Sequence, residues 1–366
     1  MKVLIIIPAY NEEESIEKVI NNLKQNYSQY DYVIINDGSH DHTSEICHKN
    51  KYKIIDLPVN LGLTGAFQTG LKYAYKKGTG RYEFIAMENS FHGRSMGAVA
   101  LTGHKEYREP FEPVMPGVHF AIYNDLDSVK ALLEQAKGQV AAVIVEPVAA
   151  NMGVVAPKKG FLEGLRTLCD QHGTLLIFDE VITGFRLAFG GAAEYYGVTP
   201  DMVTYGKIIG AGMPVGAYGG RREIMEMVSP AGPVYQAGTL SGNPIAMAAG
   251  LTQLKYLYEH QEVYKELEEK GEKLYSGIEQ ILKEYKKPYH VNHVSSLGSL
   301  FFAENEVVDY TSAKASDTKA FADYFLAMLK QGIHLAPSQF EAMFLSTAHS
   351  DEVLEDTLTK IRNYFM

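Results

Sequence analysis

Two charged side chains follow buried-strand patterns, at positions where α/β proteins place catalytic groups. Asp179 ends the apolar run LLIFD, and Lys207 follows the strand pattern DMVTYG. The carboxyl ends of parallel strands form the ligand-binding edge of such folds, so the two side chains could act together. Each also has an ordinary interpretation, because Asp179 could cap a turn and Lys207 could be a solvated lysine at a strand end.

A glycine-bounded turn, YQAGTLSGNP, precedes a predicted helix and adds a third feature. Gly238 and Thr239 in this turn offer backbone amides and a hydroxyl. Free amides at the N-terminus of a helix can bind a phosphate group. The turn could equally be an ordinary helix start that Ser241 or Asn243 caps.

The lysine, the acid and the turn together fit the requirements of pyridoxal 5′-phosphate. This cofactor needs a lysine for its aldehyde, an acid beside its pyridine nitrogen, an aromatic face and a phosphate cradle. The lysine acts as a base only when it is deprotonated, so we expect burial to lower the pKa of Lys207. The sequence therefore predicts a pyridoxal-phosphate enzyme in which Lys207 is the catalytic residue.

The composition argues against several other classes of protein. The 366 residues carry a formal net charge of −10 and contain no Lys/Arg-rich run, which argues against nucleic-acid binding. Cys47 and Cys169 are far apart and lack CxxC spacing, so neither a disulfide framework nor a metal site is predicted. The N-terminal apolar run is too short for a signal peptide, and no stretch has the length of a membrane helix. We expect a cytoplasmic enzyme with a small-molecule substrate and no bound metal.

Strand and helix patterns divide the chain into three parts. Residues 1–78 read as strands alternating with helices, which predicts a βαβαβ segment with a parallel sheet. Within 79–255 the runs VAAVIVEP and TLLIFDEV are almost continuously apolar, as in strands buried on both faces, and predict a large α/β domain with a mostly parallel sheet. Residues 256–366 begin with a long amphipathic helix and predict a small α+β domain.

Long stretches of the second and third parts resemble a known family. The segments VEPVAANMGVVAPKKGFLEGLR, LLIFDEVITGFRLAFGGAAEYYGVTPD and GKIIGAGMPVGAYGGRREIMEMVSPAGPVYQAGTLSGNPIAMAAGL are similar to class III pyridoxal-phosphate aminotransferases of fold type I. From about Val140 onward the chain resembles the glutamate-1-semialdehyde 2,1-aminomutases most closely. Residues 81–135, including ENSFHGRSMGAVALTG, look more like an acetylornithine or ornithine aminotransferase.

The resemblance implies a role for individual residues around the cofactor. Lys207 would be linked to the cofactor aldehyde and would move protons, and Asp179 would pair with the pyridine nitrogen. Val181 and Phe91 would pack on the two faces of the ring. The remaining implied neighbours of the ring are His92 and Gly93 of the FHG motif, Asn151 near the ring hydroxyl, and Glu146 as a supporting acid.

The resemblance also implies a partner and a substrate. Gly238 and Thr239 would hold the phosphate of a neighbouring subunit, which implies a homodimer. Glu341 in PSQFEA matches the aminomutase pattern, whereas aminotransferases for substrates with a second carboxylate typically carry an arginine in this region. The implied reaction is intramolecular amino transfer from glutamate-1-semialdehyde to 5-aminolevulinate, a step of tetrapyrrole biosynthesis.

Residues 1–78 resemble a different family, the start of a family-2 glycosyltransferase. The carrying motifs are IIIPAYNEEESI, VIINDGSHDHTSE and VNLGLTGAFQTGLKYA, but the acidic metal motif and the catalytic base of that family are missing. Asp37 and Asp41 are then expected to be turn residues. Thr64 in GLTGA stands where the aminotransferases have a phosphate-binding threonine, so we hypothesise that this turn holds the cofactor phosphate; it could also keep only its own turn geometry.

The whole chain therefore looks chimeric, and four functions stay open. The first is the aminomutase, with an activity that the replaced N-terminus could abolish. The second is a class III aminotransferase for acetylornithine-like or ornithine-like donors. The third is a nucleotide-sugar-binding glycosyltransferase fragment, and the fourth is an inactive chimera.

Overall fold

A computed structural model describes residues 4–57, 81–232, 234–235, 238 and 240–366. Its strands are β1 (Leu4–Ala9), β2 (Asp31–Asn36), β3 (Ile54–Asp56), β4 (Glu83–Met87), β5 (Val118–Ala121), β6 (Val140–Val145), β7 (Leu175–Asp179), β8 (Met202–Tyr205), β9 (Ala217–Gly220), β10 (His290–Val294), β11 (Leu297–Phe301) and β12 (Met343–Phe344).

Helices separate most of these strands. The α-helices are Ile16–Asn26, Thr43–Lys49, Met96–Leu101, Lys105–Arg108, Leu126–Gln135, Phe161–His172, Gly191–Tyr196, Arg222–Met225, Pro244–Glu259, Glu262–Glu284, Tyr310–Lys314, Thr318–Lys330 and Asp351–Phe365. Short 3₁₀ turns occupy Glu109–Phe111 and Lys207–Gly210.

The central six-stranded sheet has the order β5-β4-β6-β7-β8-β9. Its first five strands are parallel, and β9 pairs antiparallel with β8 at one edge. β6 is buried along nearly its whole length, as its continuous apolar sequence VAAVIV predicts. This arrangement confirms the expected α/β fold with a mostly parallel sheet, and it brings the carboxyl ends of β4, β6, β7 and β8 to one edge.

The helix Phe161–His172 shows how local sequence fixes this sheet. It connects β6 to β7 and buries Phe161, Leu165 and Cys169 in the main hydrophobic core. It ends at Gly173, whose φ of +60° lies in the left-handed region that glycine adopts without strain. Arg81 then donates to the carbonyl oxygens of His172 and Gly173, at 3.1 Å and 2.6 Å, and so balances the negative end of the helix.

The C-terminal part forms a second layer with its own core. The strands β10, β11 and β12 make an antiparallel sheet, against which the long helix Glu262–Glu284 packs. That helix buries one face, as its apolar spacing predicts; the buried side chains are Val263, Leu267, Leu274, Tyr275, Ile278, Ile281 and Leu282. The α+β character of this part agrees with the expectation from sequence.

The N-terminal residues form a separate parallel sheet of order β1-β2-β3. Its core includes Ile20, Ile34 and Cys47, packed beneath the helices Ile16–Asn26 and Thr43–Lys49. The βαβαβ pattern therefore folds as predicted for the described residues, but its strands do not join the six-stranded sheet. No described helix is both long enough and apolar enough to span a lipid bilayer.

Candidate functional site

A cavity of about 160 Å³ lies at the carboxyl edge of the six-stranded sheet. The loops that follow β4, β6, β7 and β8 supply its walls, as expected for a ligand site in a parallel sheet. It is lined by Phe91, His92, Gly93, Glu146, Val148, Asn151, Asp179, Val181, Ile182 and Lys207. The structure thus brings together most of the residues that the sequence predicts for one site.

Lys207 begins a 3₁₀ turn directly after β8 and has an unusual backbone. Its φ is +48°, in the left-handed region that residues other than glycine rarely adopt. Strained backbone of this kind collects at functional sites. The side chain reaches solvent through the open cleft, yet the surrounding protein desolvates the ammonium group and lowers its pKa.

Several charges act on that pKa in opposite directions. Glu146, Asp179 and Glu341 favour the charged ammonium form of Lys207, whereas Arg186 disfavours it. Desolvation is the largest of these effects, so the lysine is biased toward its neutral form. The sequence-based expectation for the direction of this shift agrees with the structure.

Asp179 is held by two contacts at the end of β7. Its Oδ2 lies 2.7 Å from Nδ1 of His92, and its Oδ1 accepts a hydrogen bond from the backbone amide of Val181 at 3.1 Å. The side chains of His92 and Asp179 are only 2% and 7% exposed, so water screens their interaction little. Nε2 of His92 is also buried and has no hydrogen-bond partner in the described part of the chain.

Glu146 links two opposite walls of the cavity. One carboxylate oxygen accepts from the side-chain amide of Asn151 at 2.6 Å, and the other accepts from the backbone amide of Phe91 at 3.2 Å. Burial raises the pKa of Glu146 to about 7, the charge of His92 opposes this shift, and the charge of Asp179 adds to it. Glu146 is therefore a second group in the cavity that can hold a proton near neutral pH.

The apolar walls come from Phe91 and Val181. Phe91 has an arginine above it, because the guanidinium carbon of Arg94 lies 5.1 Å from the centre of its ring and 4.6 Å from that of Tyr107. Arg94 is exposed and forms no ion pair among the described residues. Arg94 was not predicted from the sequence, although its position two residues after His92 could have indicated it.

Arg186 and Glu341 come from two further segments. Arg186 lies in the loop after β7, and Nη1 donates to Ser296 Oγ at 3.2 Å and to the carbonyl oxygen of Leu345 at 3.3 Å. Glu341 precedes β12 and is exposed. Both act on the charge of Lys207, but neither lines the cavity, so the role of Glu341 stays a prediction; Arg186 was not predicted.

Of the predicted phosphate-binding residues, the structure describes Gly238. Thr64 and Thr239 lie outside the described residues, and Gly238 is exposed. Asn243 caps the following helix, since its side-chain oxygen accepts from the backbone amides of Ile245 and Ala246. The ordinary interpretation of Asn243 as a helix cap is therefore correct, and those two amides are already engaged.

The cavity fits pyridoxal phosphate in the chemistry of its side chains. It combines a lysine with a lowered pKa, a carboxylate held in place by a histidine, and an apolar wall on each side. The unpartnered Nε2 of His92 leaves one buried polar atom that a ligand could satisfy. No group of His, Cys, Asp or Glu side chains suited to a metal ion occurs in the residues that the structure describes.

Comparison with known proteins gives a consistent result. Residues 17–363 match the family described as aminotransferase class-III. The glutamate-1-semialdehyde 2,1-aminomutase 2 of Lachnoclostridium phytofermentans is 55% identical over 294 residues, covering 78% of this chain and 69% of that protein. The glutamate-1-semialdehyde 2,1-aminomutase of Alkaliphilus oremlandii is 54% identical over 311 residues, covering 83% of this chain and 72% of that protein.

A solved structure supports the same fold. The β-phenylalanine aminotransferase from Variovorax paradoxus superposes with a TM-score of 0.71 at 29% sequence identity. The superposition covers 82% of this chain and 67% of that one.

Proposed function

This chain belongs to the class III aminotransferase family, whose cofactor is pyridoxal 5′-phosphate. We propose that within this family it is an aminomutase. The proposed reaction converts glutamate-1-semialdehyde to 5-aminolevulinate, and relatives named for this activity are 54–55% identical to the chain. The observation that carries the proposal is the single cavity in which Lys207, Asp179 and His92 meet.

We assign the cofactor contacts to residues that line this cavity. Asp179 would face the ring nitrogen, Phe91 and Val181 the two ring faces, and Asn151 the ring hydroxyl. When bound, the cofactor supplies an electron-accepting ring that allows a proton to leave the carbon bearing the amine. His92 holds Asp179 in place through the 2.7 Å contact between its Nδ1 and Oδ2 of the carboxylate.

Lys207 is the proposed carrier of protons. Its lowered pKa leaves Nζ able to accept a proton from substrate carbon and to return it to the neighbouring carbon. Substrate and product are isomers, in which an amine and a carbonyl exchange places on adjacent carbons. The reaction therefore needs no net oxidant or water; besides the cofactor, which would supply and take back an amine, it needs a base that stays in position through both halves.

The acid Glu341 supports the aminomutase over family members whose substrates carry a second carboxylate. Its negative charge favours a positive charge on Lys207 and would repel a second substrate carboxylate near it.

One observation favours a second candidate, a class III aminotransferase for acetylornithine-like or ornithine-like donors. Arg94 lies above Phe91 at the cleft and forms no ion pair in the described ranges, so it could bind a donor carboxylate. Turnover of ornithine with 2-oxoglutarate, in place of glutamate-1-semialdehyde, would favour this candidate.

We also propose a homodimer. The helix Pro244–Glu259 leaves large apolar side chains in solvent, among them Ile245, Leu251 and Tyr258, each about two thirds exposed. Apolar patches of this kind mark protein interfaces. In this dimer Gly238 and Thr239 of one subunit would approach the phosphate bound by the other, as the family resemblance implies.

The division into 1–78, 79–255 and 256–366 and the glycosyltransferase-like origin of the first part are likewise proposals. Support comes from the first three strands, which form their own sheet and core. We propose that this part has no sugar-transfer activity and that Thr64 stands near the cofactor phosphate.

The experiment that tests the proposed function is trapping of the cofactor on Lys207. Purified chain is mixed with pyridoxal phosphate, its visible spectrum is recorded, and the bound cofactor is fixed with borohydride before peptide mapping. We expect a visible band and label on the Lys207 peptide, followed by turnover of glutamate-1-semialdehyde; K207A should lose both.

The opposite results separate the alternatives. Label spread over surface lysines, or the same label in K207A, would mean that the chain is an inactive chimera. Tight uridine-diphosphate binding without labelling of Lys207 would favour the glycosyltransferase fragment.

A further inference from the structure

Glu180 is a fully buried acid to which the proposed function gives no role. It directly follows Asp179 at the end of β7. Its Oε2 accepts from the backbone amide of Ala192 at 2.6 Å and from the hydroxyl of Thr183 at 3.0 Å, and its Oε1 accepts from the backbone amide of Ala193 at 3.0 Å. All three donors are neutral, so this buried carboxylate depends on their exact positions for its compensation.

These contacts close the loop that follows β7. The loop runs from Glu180 to the helix Gly191–Tyr196, whose first turn supplies the two backbone amides. The main chain of Glu180 fixes the other end, because its amide donates to the carbonyl oxygen of Thr204 in β8 and its carbonyl oxygen accepts from the amide of Gly184, both at 2.9 Å. Glu180 therefore holds both ends of the loop at once.

Gly191 shows how closely the helix approaches the carboxylate. Its φ is +70°, and a Cβ at this position would lie 2.2 Å from Oε2 of Glu180. Gly197, after the same helix, has a φ of +68°, but a Cβ there would meet no described atom within 4 Å. The two glycines thus share the left-handed backbone that suits glycine, and only Gly191 also leaves room for Glu180.

The segment that Glu180 fixes carries one wall of the cavity. Val181 and Ile182 follow it directly, and both line the cavity together with Lys207. On its other side Val181 packs against Gly206, since a Cβ on Gly206 would lie 3.3 Å from Cγ1 of Val181. The position of Val181 therefore depends on the loop on one side and on the residue before Lys207 on the other.

We propose that Glu180 is a positioning residue, which holds Val181 against the cofactor ring by keeping the loop closed on the helix Gly191–Tyr196. Glu180 acts through Val181 and does not itself touch the cofactor. This inference rests on the proposed function, because it assumes that the cofactor ring packs against Val181. A loop that opens part of the time should weaken cofactor binding and let the bound ring tilt.

Binding of pyridoxamine 5′-phosphate tests the proposal, because this ligand has no aldehyde and needs no covalent bond to Lys207. Fluorescence titration gives its dissociation constant, and the circular dichroism of its own absorption band at saturation reports how the bound ring is oriented. In E180Q an NH₂ group replaces one acceptor oxygen, and in G191A a methyl group meets Oε2. Both variants should raise the dissociation constant about 10- to 100-fold and change the dichroism, since only molecules with a closed loop bind fully.

Three further variants separate this role from a general effect on stability. G197A adds the same backbone strain at the other end of the helix without reaching Glu180, and its binding should be unchanged. T183V removes one donor while keeping the shape of the side chain, so its effect should be smaller than that of E180Q and stays measurable if E180Q folds poorly. V181A removes the wall itself, and E180Q should add little to it in a double-mutant cycle. Thermal unfolding of each variant is recorded in parallel.

The contrary results are distinct. A lower unfolding temperature in E180Q and G191A, with unchanged binding and dichroism where both are folded, would mean that Glu180 only stabilises the chain. Equal weakening in G191A and G197A would assign the effect to backbone strain, and additive effects of E180Q and V181A would mean that Glu180 does not act through Val181. An unmodified chain that does not bind pyridoxamine 5′-phosphate overturns the proposed function as well, whereas the other three results overturn this inference alone.

Discussion

At the scale of single residues, protonation of Glu146 should change the free energy of unfolding by a measurable amount. Its pKa is raised from an ordinary 4.5 to about 7, chiefly by burial, and the charged groups facing it are His92, Asp179 and Lys207. Below about pH 4.5 the folded and unfolded chains both hold the proton. Between 4.5 and 7 only the folded chain keeps it, so the free energy of unfolding falls as the pH rises through this window.

The substitution E146Q isolates this contribution. Relative to E146Q, the unmodified chain should lose about 3 kcal/mol of stability between pH 4.5 and pH 7.5, since one pKa unit corresponds to about 1.4 kcal/mol. The free energy of unfolding of the cofactor-free chain is measured by urea denaturation at both values. E163Q, at an exposed position of the helix Phe161–His172, is the control and should follow the unmodified chain. Parallel curves for the unmodified chain and E146Q would contradict the prediction.

Individual residues also show which parts of the site the sequence could reveal. Asp179 and Lys207 could be predicted because each follows an apolar strand, and strand ends meet at one edge of a parallel sheet. Arg186 could not, since its effect on the pKa of Lys207 arises only in the folded chain. Glu146 was seen as a supporting acid, but its link between Phe91 and Asn151 exists only in the folded chain.

At the scale of elements, the helix Pro244–Glu259 should form part of a subunit interface. Asn243 caps its start, yet the helix is apolar on most sides and leaves Leu251 about 70% exposed and Ile245 about 67% exposed. An isolated subunit would present this surface to water, which is unfavourable. L251E should therefore weaken the dimer by about 10- to 100-fold, because it places a charge in an apolar contact.

Sedimentation equilibrium over a range of concentrations measures this effect. The control is L326E on the helix Thr318–Lys330, where Leu326 is about half exposed. Only L251E should shift the monomer–dimer equilibrium. An equal shift in both variants, or an unmodified chain that stays monomeric, would show that the helix Pro244–Glu259 is not an interface.

The elements themselves follow from sequence to different degrees. The apolar runs of β6 and β7 and the heptad-like spacing of the helix Glu262–Glu284 predict their type correctly, because burial alone decides these patterns. The pairing of strands is harder, since both the N-terminal strands and the central strands look like parallel-sheet strands. The strands separate into two sheets because they pack into two different hydrophobic cores. The local sequence of a strand does not show which core it joins.

At the scale of the whole molecule, the N-terminal parallel sheet and the mostly parallel six-stranded sheet should contribute to stability independently. Ile34 in β2 and Ile85 in β4 are both fully buried, and each belongs to a different hydrophobic core. Truncation of either to alanine removes the same atoms from a well-packed core, at a typical cost of about 2–5 kcal/mol. A chain whose parts have separate cores can unfold in more than one step.

The pair I34A and I85A therefore tests how the cofactor site depends on each sheet. I85A should lower the temperature of the unfolding transition that releases bound cofactor, because the loop after β4 carries Phe91 and His92. I34A should lower the temperature at which the N-terminal sheet unfolds. Below that temperature, the visible band linked to Lys207 should be unchanged. Circular dichroism reports overall unfolding, and visible absorption reports loss of the site. If I34A and I85A lower the temperature at which the visible band is lost by the same amount, the N-terminal sheet and the cofactor site unfold as one unit. The proposed division of the chain would then be wrong.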